Sequence, residues 1–274
     1  MEVAMRRTSQ RACRDEAFKA HVIEYWNERA TTYSNGIWDE LEGAQHHAWI
    51  DVLHNKLALD FLGAEGEAPK VLDLGCGPGF FSILLSAMGC TVHAVDESEQ
   101  MLRHAQENVA RAGRPERVAF IRSDVSSLPL PSDTYDAVVL RNVTWLMRDP
   151  VAAYREWQRV LKPGGKLVVF DANWYTYLAD AALDELRRSH QEDRAVLGWS
   201  ENAFASAKQE DRCEALAAQL PLTYENRPAW DVEALSSIGF KSVAADEEVW
   251  RSVWTKGEQA FYATSPLFSV EAVK

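Results

Sequence analysis

Between Lys70 and Asp96 the chain reads KVLDLGCGPGFFSILLSAMGCTVHAVD. A short apolar run, a loop with glycine at alternate positions, a helix-length apolar run closed by Gly89 and a second apolar run follow in quick succession. Two buried strands separated by one helix of matching length are expected to lie parallel, because the helix carries the chain back along the sheet. The same alternation continues. SEQMLRHAQENVARAG reads as a helix capped by Ser98 and stopped by Gly113, and VAFIRSD and YDAVVLRN read as the third and fourth strands. DPVAAYREWQRVL follows as a helix with Asp149 at its N-cap and Pro150 in its first position; KPGG is a turn and KLVVFDA the fifth strand. Alternation of this kind with right-handed crossovers predicts an α/β fold, a doubly wound and mostly parallel sheet with helices on both faces.

The flanks break the rhythm. Phe18, Val22, Tyr25 and Trp26 predict a helix from Asp15 to about Thr31, and Ile50, Leu53, Leu57 and Phe61 mark a second one from about Ile37 to Leu62. Residues 1–62 thus form a helical segment before the α/β core of residues 63–172. Residues 173–229 read as a helical, aromatic insertion carrying Trp174, Tyr175, Tyr177, Trp199, Phe204, Tyr224 and Trp230. Residues 230–274 read as a helix, AWDVEALSSIGF, and two strands, KSVAADEEVW and EQAFYATSP, that complete the sheet.

Charge narrows the partners. The net charge is −12, and the clustered arginines Arg6, Arg7, Arg11 and Arg14 read as a solvated tail, so nucleic acid is not expected. Four scattered cysteines show no metal-type spacing, which predicts free thiols, a reducing compartment and no metal centre. His46 and His47 are adjacent, so on a helix they cannot share a metal. No apolar run is long enough to span a bilayer and no signal-peptide core is visible, so the expected location is the cytoplasm without membrane association.

In an open parallel sheet, ligands bind beyond the carboxyl ends of the strands, which is where DLGCGPG lies. A dinucleotide loop would read G-x-G-x-x-G, but here Gly75, Gly77 and Gly79 alternate, and Phe80 and Phe81 follow. A P-loop would need Lys followed by Ser or Thr. Asp73 at the end of the first strand would repel phosphate and suits a cationic ligand. The segment resembles motif I of the class I S-adenosylmethionine-dependent methyltransferases, and the resemblance runs from about Tyr25 to Phe170. It implies a seven-stranded Rossmann-like methyltransferase fold, S-adenosylmethionine as cofactor and a loop of Gly75, Cys76, Gly77 and Gly79 against it. It implies further that Asp96 accepts from both ribose hydroxyls, that Asp124 and the Val125 amide meet the adenine, and that Arg141 and Asn142 lie beside the methionine moiety. Glu97 and Met101 join this cofactor set. Upstream, YWNERATTYS resembles the helix that closes over the cofactor, with Tyr25, Arg29 and Tyr33 near the methionine carboxylate or the sulfonium.

The acceptor is less legible, because an activated methyl group demands alignment rather than a fixed catalytic residue. FDANWY and RNVTW, at the exits of the fifth and fourth strands, are expected to face the methyl group together. Asn142, Asp171 and Asn173 are the catalytic candidates, and Trp145, Trp174, Tyr175 and Tyr177 the expected acceptor pocket, suited to an apolar or planar small molecule or a cation. The acceptor atom (O, N, S or C), the need for a base and the oligomeric state stay open. A non-catalytic S-adenosylmethionine-binding sensor or partner subunit is the alternative reading. Intact Asp73, Asp96 and Asp124 favour the enzyme.

Overall fold

A computed structural model describes residues 2–59, 66–192, 196 and 205–274, with side chains from residue 15 onward. The segment from Glu2 to Glu42 is one helix, α1, of 41 residues. This differs from the two helices expected there. The TTYSNG stretch looked like a break because Thr, Ser, Asn and Gly are weak helix formers. Packing against a neighbouring helix overrides that preference, and the chain turns instead at Gly43, before α2 (Gln45–Leu57). Residues 60–62, the expected end of that helix, and the side chains of Arg6, Arg7, Arg11 and Arg14 lie outside the described residues.

The alternating units follow as expected: β1 (Lys70–Leu74), α3 (Phe80–Ala87), β2 (Thr91–Asp96), α4 (Glu99–Arg111), β3 (Val118–Arg122), β4 (Tyr135–Arg141), α5 (Pro150–Val160) and β5 (Leu161–Asp171). Ser98 caps α4 by accepting from the Met101 amide, and Asp149 caps α5 by accepting from the Ala152 amide. The insertion supplies α6 (Ala181–His190) and α7 (Ala207–Ala217). The C-terminal part forms α8 (Ala229–Ser237), β6 (Lys241–Asp246), α9 (Trp250–Val253), α10 (Lys256–Phe261) and β7 (Phe268–Val273).

The seven strands run in the order β3-β2-β1-β4-β5-β7-β6. The sheet is parallel except at β7, which lies antiparallel to both β5 and β6. EQAFYATSP is therefore not a strand. Thr255 accepts from the Glu258 amide while the Glu258 side chain accepts from the Thr255 amide, so this stretch opens as a capped helix. That capping box was visible as T-x-x-E. The seventh strand is FSVEAV, whose Phe268, Val270 and Ala272 alternate inward.

Strand alternation divides the core into two layers. Val71, Ala137, Val139, Val168 and Phe170 pack on one face with α2 and α3. Leu72, Leu74, Val138, Leu140, Leu167 and Val169 pack on the other with α5 and α8. Trp49 of α2 meets Phe81 and Phe170 edge-on at 5.3 Å each. α1 lies along α4: Asn108 donates to Ser34 Oγ at 2.9 Å and accepts from Trp38 Nε1 at 2.9 Å. These bonds hold α1 across the carboxyl ends of the strands. No helix among the described residues is long and apolar enough to cross a membrane.

Candidate active site

β1 lies between β2 and β4, so the sheet changes winding direction at β1 and β4 and opens a crevice at their carboxyl ends. The loop after β1 enters it with Gly75, Gly77 and Gly79 all at positive φ, between 52° and 94°. The three glycines do different things. A Cβ on Gly75 would come within 2.4 Å of the Val143 side chain, and one on Gly79 within 3.3 Å of Ala105. Those two permit close packing of β4's exit and of α4. A Cβ on Gly77 would meet only Tyr33, at 4.0 Å, because Gly77 faces a cavity.

That cavity measures about 440 Å³. Its wall brings together Tyr33, Asp73, Gly75, Cys76, Gly77, Asp96, Glu97, Met101, Asp124, Val125, Arg141 and Asn142. Gly79, expected among them, is spent on the α4 contact instead.

The carboxylates differ in state. Asp96 accepts from the Gly77 amide at 2.9 Å and the Ser98 amide at 2.8 Å, which ties the loop to β2. Burial nevertheless raises its pKa to about 6, against the pull of those amides. Asp73 is 2% exposed and accepts from Ser82 Oγ at 2.6 Å; burial raises its pKa to about 7. At Asp124 burial is outweighed by bonds from Lys19 and Ser126, and the carboxyl titrates below its usual range. Lys19 of α1 reaches Asp124 and Glu97 at 2.8 Å each, across the cavity mouth.

A second cavity, about 530 Å³, lies on the other side of α1. Tyr25, Arg29, Trp145, Trp174, Tyr175 and Tyr177 line it. The two cavities share a wall of Trp26, Tyr33, Ile37, Arg141 and Asn142. Arg141 is held there by two bonds to Glu40, at 2.6 and 3.0 Å, with its guanidinium carbon 4.1 Å from the Phe80 ring centre. Asn142 sits in the left-handed region at φ 60°, and its buried side-chain oxygen has no hydrogen-bond partner.

Several placements differ from expectation, beginning with Tyr25 and Arg29, which were expected beside the cofactor and line only the second cavity. Asp171 does not face either cavity. It is fully buried, and its oxygens are taken by the Ala172 and Trp145 amides, the Trp174 indole and Arg227. It positions the two tryptophans and is not a catalytic candidate. Asn173 lines neither cavity and donates to the Arg227 carbonyl at 2.8 Å. Of the insertion's other aromatics, Tyr224 is exposed and Trp230 packs on Tyr154, while Trp199 and Phe204 lie outside the described residues.

Sequence reasoning missed Lys19, Trp26, Ile37 and Glu40. A signal existed. On one long helix, Lys19, Val22, Trp26, Tyr33 and Ile37 form a stripe at spacings of three, four and seven, and Tyr25, Arg29, Gly36 and Glu40 form another beside it. The assumed break near residue 32 hid both.

Residues 72–169 match the methyltransferase domain family. Over that stretch the chain is similar to S-adenosylmethionine-dependent methyltransferases. The first cavity fits S-adenosylmethionine: acids surround it, Gly77 leaves its side open, and Asn142 carries an unpaired buried acceptor at its wall. The chain is 35% identical over 128 residues to a malonyl-[acyl-carrier protein] O-methyltransferase of Erwinia pyrifoliae, covering 46% of this chain and 44% of that protein. It is 39% identical over 104 residues to a demethylmenaquinone methyltransferase of Clavibacter sepedonicus, covering 36% and 40%. The chain thus spans less than half the length of these curated relatives. Phosphoethanolamine N-methyltransferase 2 of Haemonchus contortus, solved with S-adenosyl-L-methionine, superposes with a TM-score of 0.52 at 17% identity, over 87% of this chain and 60% of that one. That likeness is one of fold.

Proposed function

We propose that the protein transfers a methyl group from S-adenosylmethionine to a small-molecule acceptor. The observation that carries this reading is that the two cavities adjoin at Trp26, Tyr33, Ile37, Arg141 and Asn142, so that a cofactor in the first and an acceptor in the second would meet there. When bound, the cofactor supplies a methyl already activated on sulfonium. The chain's share is then alignment and exclusion of water.

In this arrangement Asp96 holds the ribose. Each carboxylate oxygen carries one amide bond now and has a further lone pair for a hydroxyl. Asp124 and the Val125 amide take the adenine edge, and Glu97 and Met101 flank it. Gly77 lets the backbone approach. Tyr33, Arg141 and Asn142 border the reacting region, and Trp145, Trp174, Tyr175 and Tyr177 enclose the acceptor.

The relatives support a division of labour. One is named for a malonyl-carrier acceptor and the other for demethylmenaquinone, yet both align over less than half of this chain. Acceptor choice would then reside in the flanking elements that build the second cavity.

Calorimetry with S-adenosylmethionine, S-adenosylhomocysteine and NAD tests the cofactor assignment. The two sulfur ligands should bind and NAD should not; tight NAD binding without either sulfur ligand would overturn it. Formation of S-adenosylhomocysteine during incubation with small-metabolite extracts distinguishes the enzyme from a binding module, which would bind the cofactor without turnover.

A further inference from the structure

Among the described residues Arg29 makes no ion pair, although Glu40, Glu210, Glu214 and Glu258 line the same second cavity. Arg29 is only 8% exposed and lines that cavity but not the first. Its Nη1 donates to Thr32 Oγ1 at 2.6 Å, while its buried Nε donates to nothing. No carboxylate among the described residues lies within 4.0 Å of its nitrogens. The neighbouring arginines are different: Arg141 is paired with Glu40, and Arg187 and Arg188 are both paired with Asp184.

The groups facing Arg29 are a phenol and a thiol. Burial pushes both the Tyr25 hydroxyl and the Cys213 thiol upward, and Arg29 only partly opposes it, so both are neutral at ordinary pH. The Tyr175 hydroxyl occupies the thiol at 3.0 Å. A guanidinium withdrawn from water without a carboxylate is costly, and such a group is ordinarily satisfied by an anion. Around it stand flat apolar walls. The Trp145 and Tyr175 ring centres lie 4.9 Å apart, and those of Trp174 and Tyr262 lie 5.7 Å apart.

We propose that Arg29 anchors an anionic oxygen group, such as a carboxylate, on the methyl acceptor, and that the acceptor is a planar molecule bearing this group. The proposal rests on the assignment of the second cavity to the acceptor. It also removes Arg29 from the cofactor set. A planar guanidinium offers paired N–H donors that match the two oxygens of a carboxylate, and aromatic walls accept a flat ring beside it. The anion also orients the acceptor, since it fixes one end of the molecule while the other points to the wall at Asn142.

Matched pairs of carboxylate and uncharged amide test this without knowledge of the natural acceptor. Benzoate, 2-naphthoate and indole-3-acetate, each with its primary amide, are titrated into protein saturated with S-adenosylhomocysteine. In wild type at least one carboxylate should bind about tenfold or more tightly than its amide, the scale of a charge-assisted hydrogen bond. Arg29→Met should abolish the preference and Arg29→Lys retain part of it. The S-adenosylhomocysteine dissociation constant should change by no more than about twofold, since no contact of a guanidinium strength is lost there. The absence of a carboxylate preference in every wild-type pair overturns the proposal, and that comparison needs no variant to fold. The proposal also fails if Arg29→Met weakens S-adenosylhomocysteine and leaves the preference intact. Failure of wild type to bind S-adenosylhomocysteine would instead sink the cofactor assignment.

Discussion

At Asp96 two demands meet on one carboxylate. It must stay ionised to accept from a ribose, yet burial lifts its pKa to about 6. Its protonated form has lost acceptor capacity, so cofactor affinity should be full above that pH and decline below it. With one proton involved, the S-adenosylhomocysteine association constant is expected to fall about tenfold per pH unit once pH is below about 6. Asp96→Asn should remove that step and weaken binding at pH 8 by about tenfold or more, the loss of a hydrogen bond to a charged group. Calorimetry from pH 5 to pH 8 on both proteins measures this. A flat wild-type profile would show that Asp96 serves only to hold Gly77 and Ser98. Its neighbour Asp73 carries a different burden. It bonds to Ser82 of α3 inside the core, so its position under the loop is as much structural as electrostatic.

α1 works as a divider because of its length. At about 1.5 Å per residue, its 41 residues span about 60 Å, enough to cross the whole carboxyl edge of the sheet. It is fastened at intervals: Asp15 to Arg148 at 2.8 Å, Lys19 to Asp124 and Glu97, Asn27 to Ser98 Oγ at 2.7 Å, and Trp38 to Asn108. The first two fastenings are half exposed and close the cofactor cavity; the last lies deeper, beyond the shared wall. Exposed ion pairs contribute little to stability, about 0–1 kcal/mol. Lys19→Ala should therefore leave the urea midpoint nearly unchanged while it loosens the mouth of the cavity. The measurable consequence is faster release of S-adenosylhomocysteine in stopped-flow fluorescence, where a tryptophan such as Trp26 at the cavity wall reports occupancy. An unaltered release rate would mean that the cofactor leaves by another route. The capping box at Thr255 and Glu258 makes the same point about elements from the other direction. A local signal set the helix, and aromatic residues that favour strands did not override it.

The whole molecule is joined at a buried cluster below the second cavity. Arg227 bonds to Asp171 at the end of β5 at 2.9 Å and to Asp231 of α8 at 2.8 Å, and all three side chains are withdrawn from solvent. Asp171 in turn holds Trp145 and Trp174, so the aromatic wall and the sheet are set by one arginine. Arg227→Met should strand two buried carboxylates and cost about 3–5 kcal/mol in urea unfolding, far more than Lys19→Ala. A loss below about 1 kcal/mol, the scale of an exposed pair, would contradict this account of the cluster. The sequence by itself determined the alternating core, the glycine loop and the acids at the strand ends. Each rests on local periodicity and on chain order, since a residue at the end of a parallel strand must reach the crevice. Tertiary structure decided the rest. The continuity of α1 came from its bonds to Asn108, although its own residues argued for a break. The withdrawal of Asp171 from the site came from Arg227, 56 residues away, and the seating of Arg29 in the second cavity came from which face of α1 turns toward the insertion. Contacts between residues so distant in the chain leave no period or spacing to read, because they exist only once the sheet has brought the strand ends together.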